Sequence, residues 1–293
     1  MLKKDKKWGI FFLAPYTISL FVYTIIPIIC LAYFSFTEYN LFNPPRFVGL
    51  ANYTDVLTSP DTWRALRNVG VYALVYISLN VFLACVLGVA LNQKLKGMKI
   101  FRTIYFVPSL LPWVAVSLIF TGLFNPVYGI INQFLAVLGI GPLQFTFSKS
   151  WVEVVSSMAI MAVWKGVGYA SLYVLAGLQN ISEDVLEAAS IDGAGPVTKF
   201  FRIIIPMITP TIFMLMIFGL SNSLSVFDSF LVMLGTGGVT SSEYTVMSML
   251  IYNNAFQFNK IGTASALCWV AVAFVFVITL IQTKTEKRWV HYE

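Results

Sequence analysis

The chain alternates between long stretches without a charged residue and short segments that hold most of its Lys, Arg, Asp and Glu. Four uncharged stretches contain 23 to 30 residues each, at positions 8–37, 68–93, 203–227 and 261–283. A helix needs about 20 mostly apolar residues to cross a bilayer. Each stretch therefore predicts one transmembrane helix, and the first is too long for the apolar core of a cleaved signal peptide.

Two further spans complete the pattern. The uncharged stretch 103–148 is broken by Pro126 and by Gly-Ile-Gly-Pro at 139–142, which predicts a span at about 103–123 and a loop after it. The stretch 154–179 is interrupted by one charge, Lys165. The pattern as a whole predicts six transmembrane helices.

Two proline pairs accompany the predicted spans. Pro108 and Pro112 bracket part of the third, and Pro206 and Pro210 stand at the beginning of the fifth. Proline lacks an N–H group and its ring clashes with the preceding turn, so both pairs predict kinks. Such kinks suit hinges for alternating access, and bent packing alone accounts for them equally well.

Composition agrees with a membrane protein. Hydrophobic residues make up 58% of the 293 residues and charged ones 11%, with a mean hydropathy of +0.79. Soluble domains carry about 25% charged residues, so a water-soluble fold is excluded. The fold class is all-α and polytopic, and the net charge of +6 is topological rather than a sign of nucleic-acid binding.

The distribution of Lys and Arg predicts the orientation. If the N-terminus is cytoplasmic, thirteen Lys and Arg residues fall in cytoplasmic segments and five in outer loops. Because cytoplasmic loops carry the excess of basic residues, both termini are expected to face the cytoplasm.

One predicted cytoplasmic loop, at 182–206, has a specific pattern. Ser182 suits a helix N-cap, and acids follow it in the first turn. Gly193 suits the end of that helix because glycine adopts positive φ at little cost. Pro196 suits the start of a second helix. The loop is therefore predicted to be a short helix, a tight turn and a second helix between two spans.

The spacing within this loop resembles the "EAA" loop of binding-protein-dependent ABC permeases. The matching residues are Glu187, Ala188, Ala189, Gly193, Ile203 and Pro206, and Asp192 stands directly before the glycine. Ile205 stands where the family has leucine before the proline, which is a conservative change. In that family the loop couples the permease to the ATP-hydrolysing subunit, and the same role is implied for these residues.

Other segments extend the resemblance over the whole chain. Phe47-Val-Gly-Leu-Ala-Asn-Tyr53 is similar to a segment of sugar-type permeases, as are Leu13-Ala-Pro15, Val163-Trp-Lys165 and Phe227-Asp228. The match is closest to the subfamily of glycerol-3-phosphate, multiple-sugar and lactose permeases, which is related to the larger maltose permease subunit.

This resemblance implies a single permease domain over 1–293 with the MetI-like fold, in the bacterial cytoplasmic (inner) membrane. It implies a second, distinct permease subunit, two ATP-binding subunits and an extracytoplasmic solute-binding protein. The chain has no G-x-x-x-x-G-K-[ST] sequence to bind phosphates, so ATP and Mg²⁺ are expected to be bound by the partner ATPase. No cofactor or metal is expected in this chain.

A solute site is implied on the helices before and after the loop. By resemblance to the maltose permease, the matching residues are Trp164, Lys165, Gly166, Tyr169, Asn222, Ser225, Val226 and Ser229. Asp228 joins them because charges within spans are costly and often functional. Lys165 is open to two interpretations: it recognises an anionic solute, or it pairs with Asp228 or snorkels and serves packing or gating.

No combination of nucleophile, base and acid can be identified in the spans, so no catalysis is predicted. Two other classes of function have less support. A secondary transporter would need its own ion-coupling sites and would leave the loop spacing to coincidence. A membrane-embedded enzyme would need clustered carboxylates or a nucleophile at the interface.

Overall fold

The computed structural model describes residues 2–93, 95–139, 150–234 and 243–290, with side chains from residue 11 onward. These residues are almost entirely helical. The helices are α1 (Leu2–Leu20), α2 (Ile26–Ser35), α3 (Ala51–Thr58), α4 (Pro60–Leu91), α5 (Met98–Leu110), α6 (Trp113–Leu123), α7 (Ile130–Val137), α8 (Trp151–Leu178), α9 (Glu183–Ile191), α10 (Pro196–Lys199), α11 (Ile205–Met207), α12 (Thr209–Leu224), α13 (Asp228–Leu234), α14 (Met247–Tyr252) and α15 (Ile261–Glu286). Two short strands, β1 (Thr37–Glu38) and β2 (Arg46–Phe47), pair antiparallel.

Six candidate spans follow from these helices. Four are long, continuous helical segments: Phe11–Ser35, Pro60–Leu91, Trp151–Leu178 and Ile261–Glu286. Two more are bent pairs, α5 with α6 and the α10–α11 segment with α12. With each bent pair counted as one span, the six predicted helices are confirmed. The glycine-rich turn predicted at 139–142 lies largely outside the described residues.

Both bent pairs differ from the straight spans that uninterrupted hydrophobicity suggests. The third predicted span is two helices at 97° to each other, and the fifth is reached through a 70° bend at Ile208. Each bend contains a proline four residues after another. The carbonyls of Pro108 and Pro206 would accept from residues 112 and 210, which are prolines without an N–H.

Other donors replace the missing ones. The N–H of Leu111 donates to the carbonyl of Pro108 over 3.3 Å, and the hydroxyl of Thr209 donates to the carbonyl of Pro206 over 2.7 Å. Leu111 also has an extended backbone, with ψ at 140°, as the residue before a proline prefers. The predicted kinks are thus confirmed, and their cause is the proline spacing.

The described chain divides into two compact units. One ends at Thr62 and resumes over Leu250–Val272, and the other covers Trp63–Met249 and resumes at Ala273. In the first unit the side-chain amide of Asn52 donates to the carbonyls of Ser35 and Thr37, each over 2.9 Å. These two hydrogen bonds tie α3 to the end of the first span.

In the second unit α4 and α12 pack against α8. Their shared core contains Ala84, Cys85, Ala170, Val174, Leu178, Ile208 and Leu215. Small residues allow the helices to approach closely, as is usual in membranes. A Cβ at Gly219 would lie 2.7 Å from the Ile77 side chain, and one at Gly177 would lie 2.7 Å from the Thr211 hydroxyl.

Candidate functional site: the cytoplasmic loop and the central cavities

The segment 182–206 forms the predicted helix, turn and second helix. Ser182 occupies the N-cap position of α9 with an extended backbone, although its side chain makes no capping hydrogen bond. Gly193 has a φ of +79°. The N–H of Gly193 donates to the carbonyl of Ser190 over 3.1 Å, and the N–H of Ala194 donates to that of Ala189 over 2.9 Å. This is a Schellman cap, in which the left-handed residue is typically glycine.

The second half of the loop is fixed to the first. Pro196 is the first residue of α10, as predicted, and the Lys199 ammonium donates a hydrogen bond to the Ser190 hydroxyl on α9. A π-helical turn, Phe200–Ile204, then leads into α11. The loop is thus a defined structural element rather than an open connection.

The loop presents a mixed apolar and acidic surface. Glu187, Ala188 and Asp192 are exposed, whereas Ala189 is buried. The large apolar side chains Ile191 and Val197 are 87% and 71% exposed. Apolar groups so exposed, around a carboxylate and a small residue, form a surface suited to contact with another protein.

A cavity of about 570 Å³ lies among α4, α5, α8 and α12 in the second unit. Its aromatic lining includes Tyr76, Trp113, Tyr169 and Tyr173, and the hydroxyls of Tyr169 and Tyr173 are 2.8 Å apart in a hydrogen bond. Aromatic faces together with hydroxyl and amide groups can bind a molecule that has both apolar and polar faces.

A smaller cavity of about 200 Å³ adjoins it and shares Tyr76, Trp113 and Asn222 in its lining. Asp228 lies in the first turn of α13 and lines this smaller cavity. The hydroxyl of Ser229, a residue 1% exposed, has no hydrogen-bond partner among the described residues. An unpaired buried hydroxyl is costly, which indicates a place where a bound polar group would be stabilised.

The structure brings eight of the nine predicted solute-site residues into these two cavities. The larger one contains Lys165, Gly166, Tyr169 and Asn222, and the smaller one contains Asn222, Ser225, Val226, Asp228 and Ser229. Ser225 and Val226 lie between α12 and α13 rather than within a span. The uncharged stretch 203–227 therefore continues past the end of α12 at Leu224 and stops where α13 begins.

Trp164 is the exception, and its place in the solute site stays a prediction. It lies outside the lining of both cavities, and its ring lies 5.4 Å from that of Phe120 on α6. Successive residues of a helix point about 100° apart, so the neighbour of Lys165 is directed to another face.

Lys165 is 9% exposed and is held by the bent span. Its ammonium donates to the carbonyl of Ser109 over 2.9 Å and lies 4.7 Å from the centre of the Trp113 ring. Within the described part of the chain Lys165 forms no ion pair with Asp228. The predicted alternative of a Lys165–Asp228 pair is therefore contradicted.

Comparison with known proteins identifies the family. Residues 80–291 match the model of the family described as "Binding-protein-dependent transport system inner membrane component". The match covers well over half of the chain. The chain belongs to this family.

Named relatives extend this assignment over the full length of the permease. It is 33% identical to the probable ABC transporter permease YesP of Bacillus subtilis (strain 168), over 100% of this chain and 94% of the relative. It is 32% identical to MsmF, a multiple sugar-binding transport system permease of Streptococcus mutans serotype c, over 97% of each.

A solved structure has the same fold. It is a chain of the bacterial alginate ABC transporter, crystallised in complex with an alginate pentasaccharide-bound periplasmic protein. The TM-score is 0.81 at 22% identity, over 97% of this chain and 96% of that one. The permease therefore has the all-α ABC importer fold that the resemblance implied.

Sequence reasoning missed one wall of the cavities. Tyr72, Tyr76 and Asn80 lie four residues apart on α4, and each lines at least one cavity of the permease. Asn80 is 7% exposed, and its side-chain oxygen has no partner among the described residues. Polar residues at i, i+4 and i+8 in an apolar span would have indicated this face, because they share one side of a helix.

The other end of α4 is tied to a distant segment of the permease. The side-chain amide of Asn68 donates to the carbonyls of Glu243 and Thr245 over 2.7 and 2.9 Å. Arg67 pairs with Glu243 at 3.4 Å, and its guanidinium lies 3.7 Å from the centre of the Trp151 ring. These contacts fix the segment that leads into α14.

Proposed function

We propose that this permease is one of two membrane subunits of an ATP-driven importer for a sugar or a sugar-like solute. The family supplies the inner-membrane role in a binding-protein-dependent system. The name of the MsmF relative supports a carbohydrate as the transported class. The aromatic and amide lining of the cavities suits a polyhydroxylated solute, because sugars have apolar faces and many hydroxyls.

The observation that carries the proposal is the structure of the loop 182–206. It places exposed Glu187, Ala188 and Asp192 on a Schellman-capped helix, next to exposed apolar side chains. Such a rigid surface between two spans can receive a push from another protein and pass it into the membrane. We propose that Glu187, Ala188, Ala189, Asp192, Gly193 and Pro206 form the coupling element to an ATP-binding subunit.

The remaining partners follow from this arrangement. ATP and Mg²⁺ are bound by two partner ATPase subunits, and a second, distinct permease supplies the other half of the pathway. A binding protein delivers the solute on the extracytoplasmic side, as the periplasmic protein in the alginate complex suggests. Closure of the ATPase pair moves the loop and changes the side to which the cavities open.

The permease itself is proposed to be a translocation subunit and not an enzyme. Its termini face the cytoplasm, as the excess of basic residues on that side indicates. The solute is proposed to contact Gly166, Tyr169, Asn222, Ser225, Val226, Asp228 and Ser229, which line the two cavities.

The decisive experiment purifies the tagged permease gently from native membranes and identifies the subunits that accompany it. We expect an ATPase and a second permease, with ATP-dependent uptake after reconstitution together with the binding protein. A permease that purifies alone and moves solute into liposomes without ATP would exclude the proposal in favour of a secondary transporter.

The coupling role is tested by a matched pair of glycine substitutions. Gly193 has positive φ and Gly195 has a φ of −68°, while a Cβ at either position meets no atom within 4 Å. Gly193→Ala therefore strains the turn by about 1–2 kcal/mol, and Gly195→Ala does not. We expect loss of ATP-coupled uptake in the first variant and near wild-type uptake in the second.

A further inference from the structure

Lys165 lies where the bent span meets α8. Both of its contacts, the carbonyl of Ser109 and the ring of Trp113, belong to the two arms of that span on either side of Pro112. Ser109 is in the last turn of α5, and Trp113 is the first residue of α6. One side chain on α8 therefore touches both sides of the 97° bend.

The carbonyl of Ser109 is available to Lys165 because the span is bent. In a straight helix the carbonyl of Ser109 would accept from the N–H of Trp113, four residues later. The bend separates these two groups, and a helix end leaves carbonyls without intrahelical partners. The Lys165 ammonium takes the carbonyl of Ser109, and the aromatic ring adds a cation–π contact.

A second contact lies one helical turn away. Gly168 on α8 faces the carbonyl of Tyr105 on α5, and a Cβ at this glycine would overlap with that oxygen. The pairs 165–109 and 168–105 thus join α5 to α8 over one turn of each helix. The α8 helix ends at Leu178, and α9 with the coupling residues begins at Glu183, after a short connection.

These contacts also bear on the role of the positive charge of Lys165. Lys165 is the one charged side chain among the described residues that line the larger cavity. The ammonium donates to one carbonyl and lies over one indole ring, and both groups belong to this chain. The position of Lys165 is therefore accounted for without an acidic group on the solute.

We propose that Lys165 is a positioning residue that locks the bend of α5 and α6 to α8, rather than a receptor for an anionic solute. This proposal rests on the proposed coupling through 182–206. Movement of α9 is passed to α8, and the Lys165 lock carries the bend with it. Trp113, which lines both cavities, then moves with the bend and changes the wall that the solute meets.

The lock is tested by the distance across the bend. Spin labels at Ile100 on α5 and Leu118 on α6, both exposed positions, report the bend in the full-length permease in lipid nanodiscs. We expect one narrow distance distribution in the wild type, a broad one in Lys165→Met and a narrow one again in Lys165→Arg. An unchanged narrow distribution in Lys165→Met would overturn the proposal.

Transport provides the second readout. In the reconstituted importer, Lys165→Met is expected to lower the maximal uptake rate about tenfold and to leave KM within about twofold, with Lys165→Arg restoring the rate. A large rise in KM at an unchanged maximal rate would instead assign Lys165 to solute binding. If the wild type takes up no solute with ATP, the proposed function fails, while the distance measurement still tests the lock.

Anion recognition is tested directly with a matched pair of probes, galacturonate and galactose. The proposal expects the melting temperature of the purified importer to respond equally to both sugars, in the wild type and in Lys165→Met. Greater stabilisation by galacturonate that disappears in Lys165→Met would overturn it.

Discussion

At the scale of single residues, the permease keeps a few polar groups buried without partners in its cavities. The side-chain oxygen of Asn80 and the hydroxyl of Ser229 are both in this state among the described residues. Buried polar groups elsewhere in proteins are nearly always hydrogen-bonded. Their lack of a partner at the cavity wall indicates positions where a solute hydroxyl would be stabilised.

This gives a prediction for Asn80. Replacement by leucine removes the amide from a site that is 7% exposed, and we expect KM for the transported solute to rise about tenfold because a hydrogen bond is worth about 1 kcal/mol or somewhat more. The maximal rate is expected to change little. Uptake kinetics in proteoliposomes measure both values.

The matched comparison uses tyrosine hydroxyls. Tyr76→Phe removes a hydroxyl from a residue that lines both cavities, whereas Tyr128→Phe removes one from an exposed residue outside them. We expect KM to rise in Tyr76→Phe and to stay unchanged in Tyr128→Phe. Equal kinetics in Asn80→Leu, Tyr76→Phe and the wild type would exclude α4 from the solute site.

Asn68 gives a prediction about stability. It is fully buried and donates to two backbone carbonyls, so Asn68→Leu leaves both acceptors without this donor. Each unsatisfied buried group costs about 1–3 kcal/mol. We expect a clearly lower melting temperature in detergent, while Asn43→Ser between β1 and β2, an exposed position, leaves it nearly unchanged. A melting temperature equal to that of the wild type would contradict this role.

At the scale of elements, the sequence predicted the turn in the loop 182–206 more completely than the two bent spans. Gly193 and Pro196 predicted the turn in the loop correctly. Glycine tolerates positive φ and proline has a fixed φ wherever they stand, so neither preference depends on packing. The proline pairs predicted kinks, but neither the 97° nor the 70° angle. Those angles depend on what packs against the bend, such as Lys165, and that contact joins residues 56 positions apart.

The candidate site was likewise predicted only in part. Nine residues, on α8 and from α12 to α13, were predicted from resemblance or from charge, and eight of them line a cavity. Trp164 lies outside both cavities because a motif gives neighbours in sequence, while the direction of a side chain depends on the helical turn. The wall formed by α4 was missed because it lies outside the motif.

The contact between α5 and α8 leads to a prediction for Gly168. A Cβ there would overlap with the carbonyl of Tyr105, which belongs to the backbone and cannot rotate away. Gly168→Ala is therefore expected to separate the two helices, lower the melting temperature and reduce uptake. Gly70→Ala on α4 is the control, since a Cβ there meets no atom within 4 Å. Equal stability of both variants would contradict the close contact.

At the scale of the whole molecule, the orientation remains a prediction from charge. Lys94 and Lys149, which contribute to the count of basic residues, lie outside the described residues. We expect a single cysteine at Lys287 to be labelled by a membrane-impermeant maleimide only after the membrane is opened. A cysteine at Arg46 is expected to react in intact cells, in a background without Cys30, Cys85 and Cys268. The reverse pattern would invert the topology and remove the loop 182–206 from the ATPase side.

The acceptor for Lys165 is a main-chain oxygen, which every amino acid at position 109 provides. The side chain of Ser109 lines the cavity, its hydroxyl donates to the carbonyl of Phe106, and it takes no part in the bond to Lys165. A substitution at position 109 can therefore change the cavity wall and keep the hydrogen bond between Lys165 and the bend. Selectivity and mechanics are in this way separable by mutation at a single site.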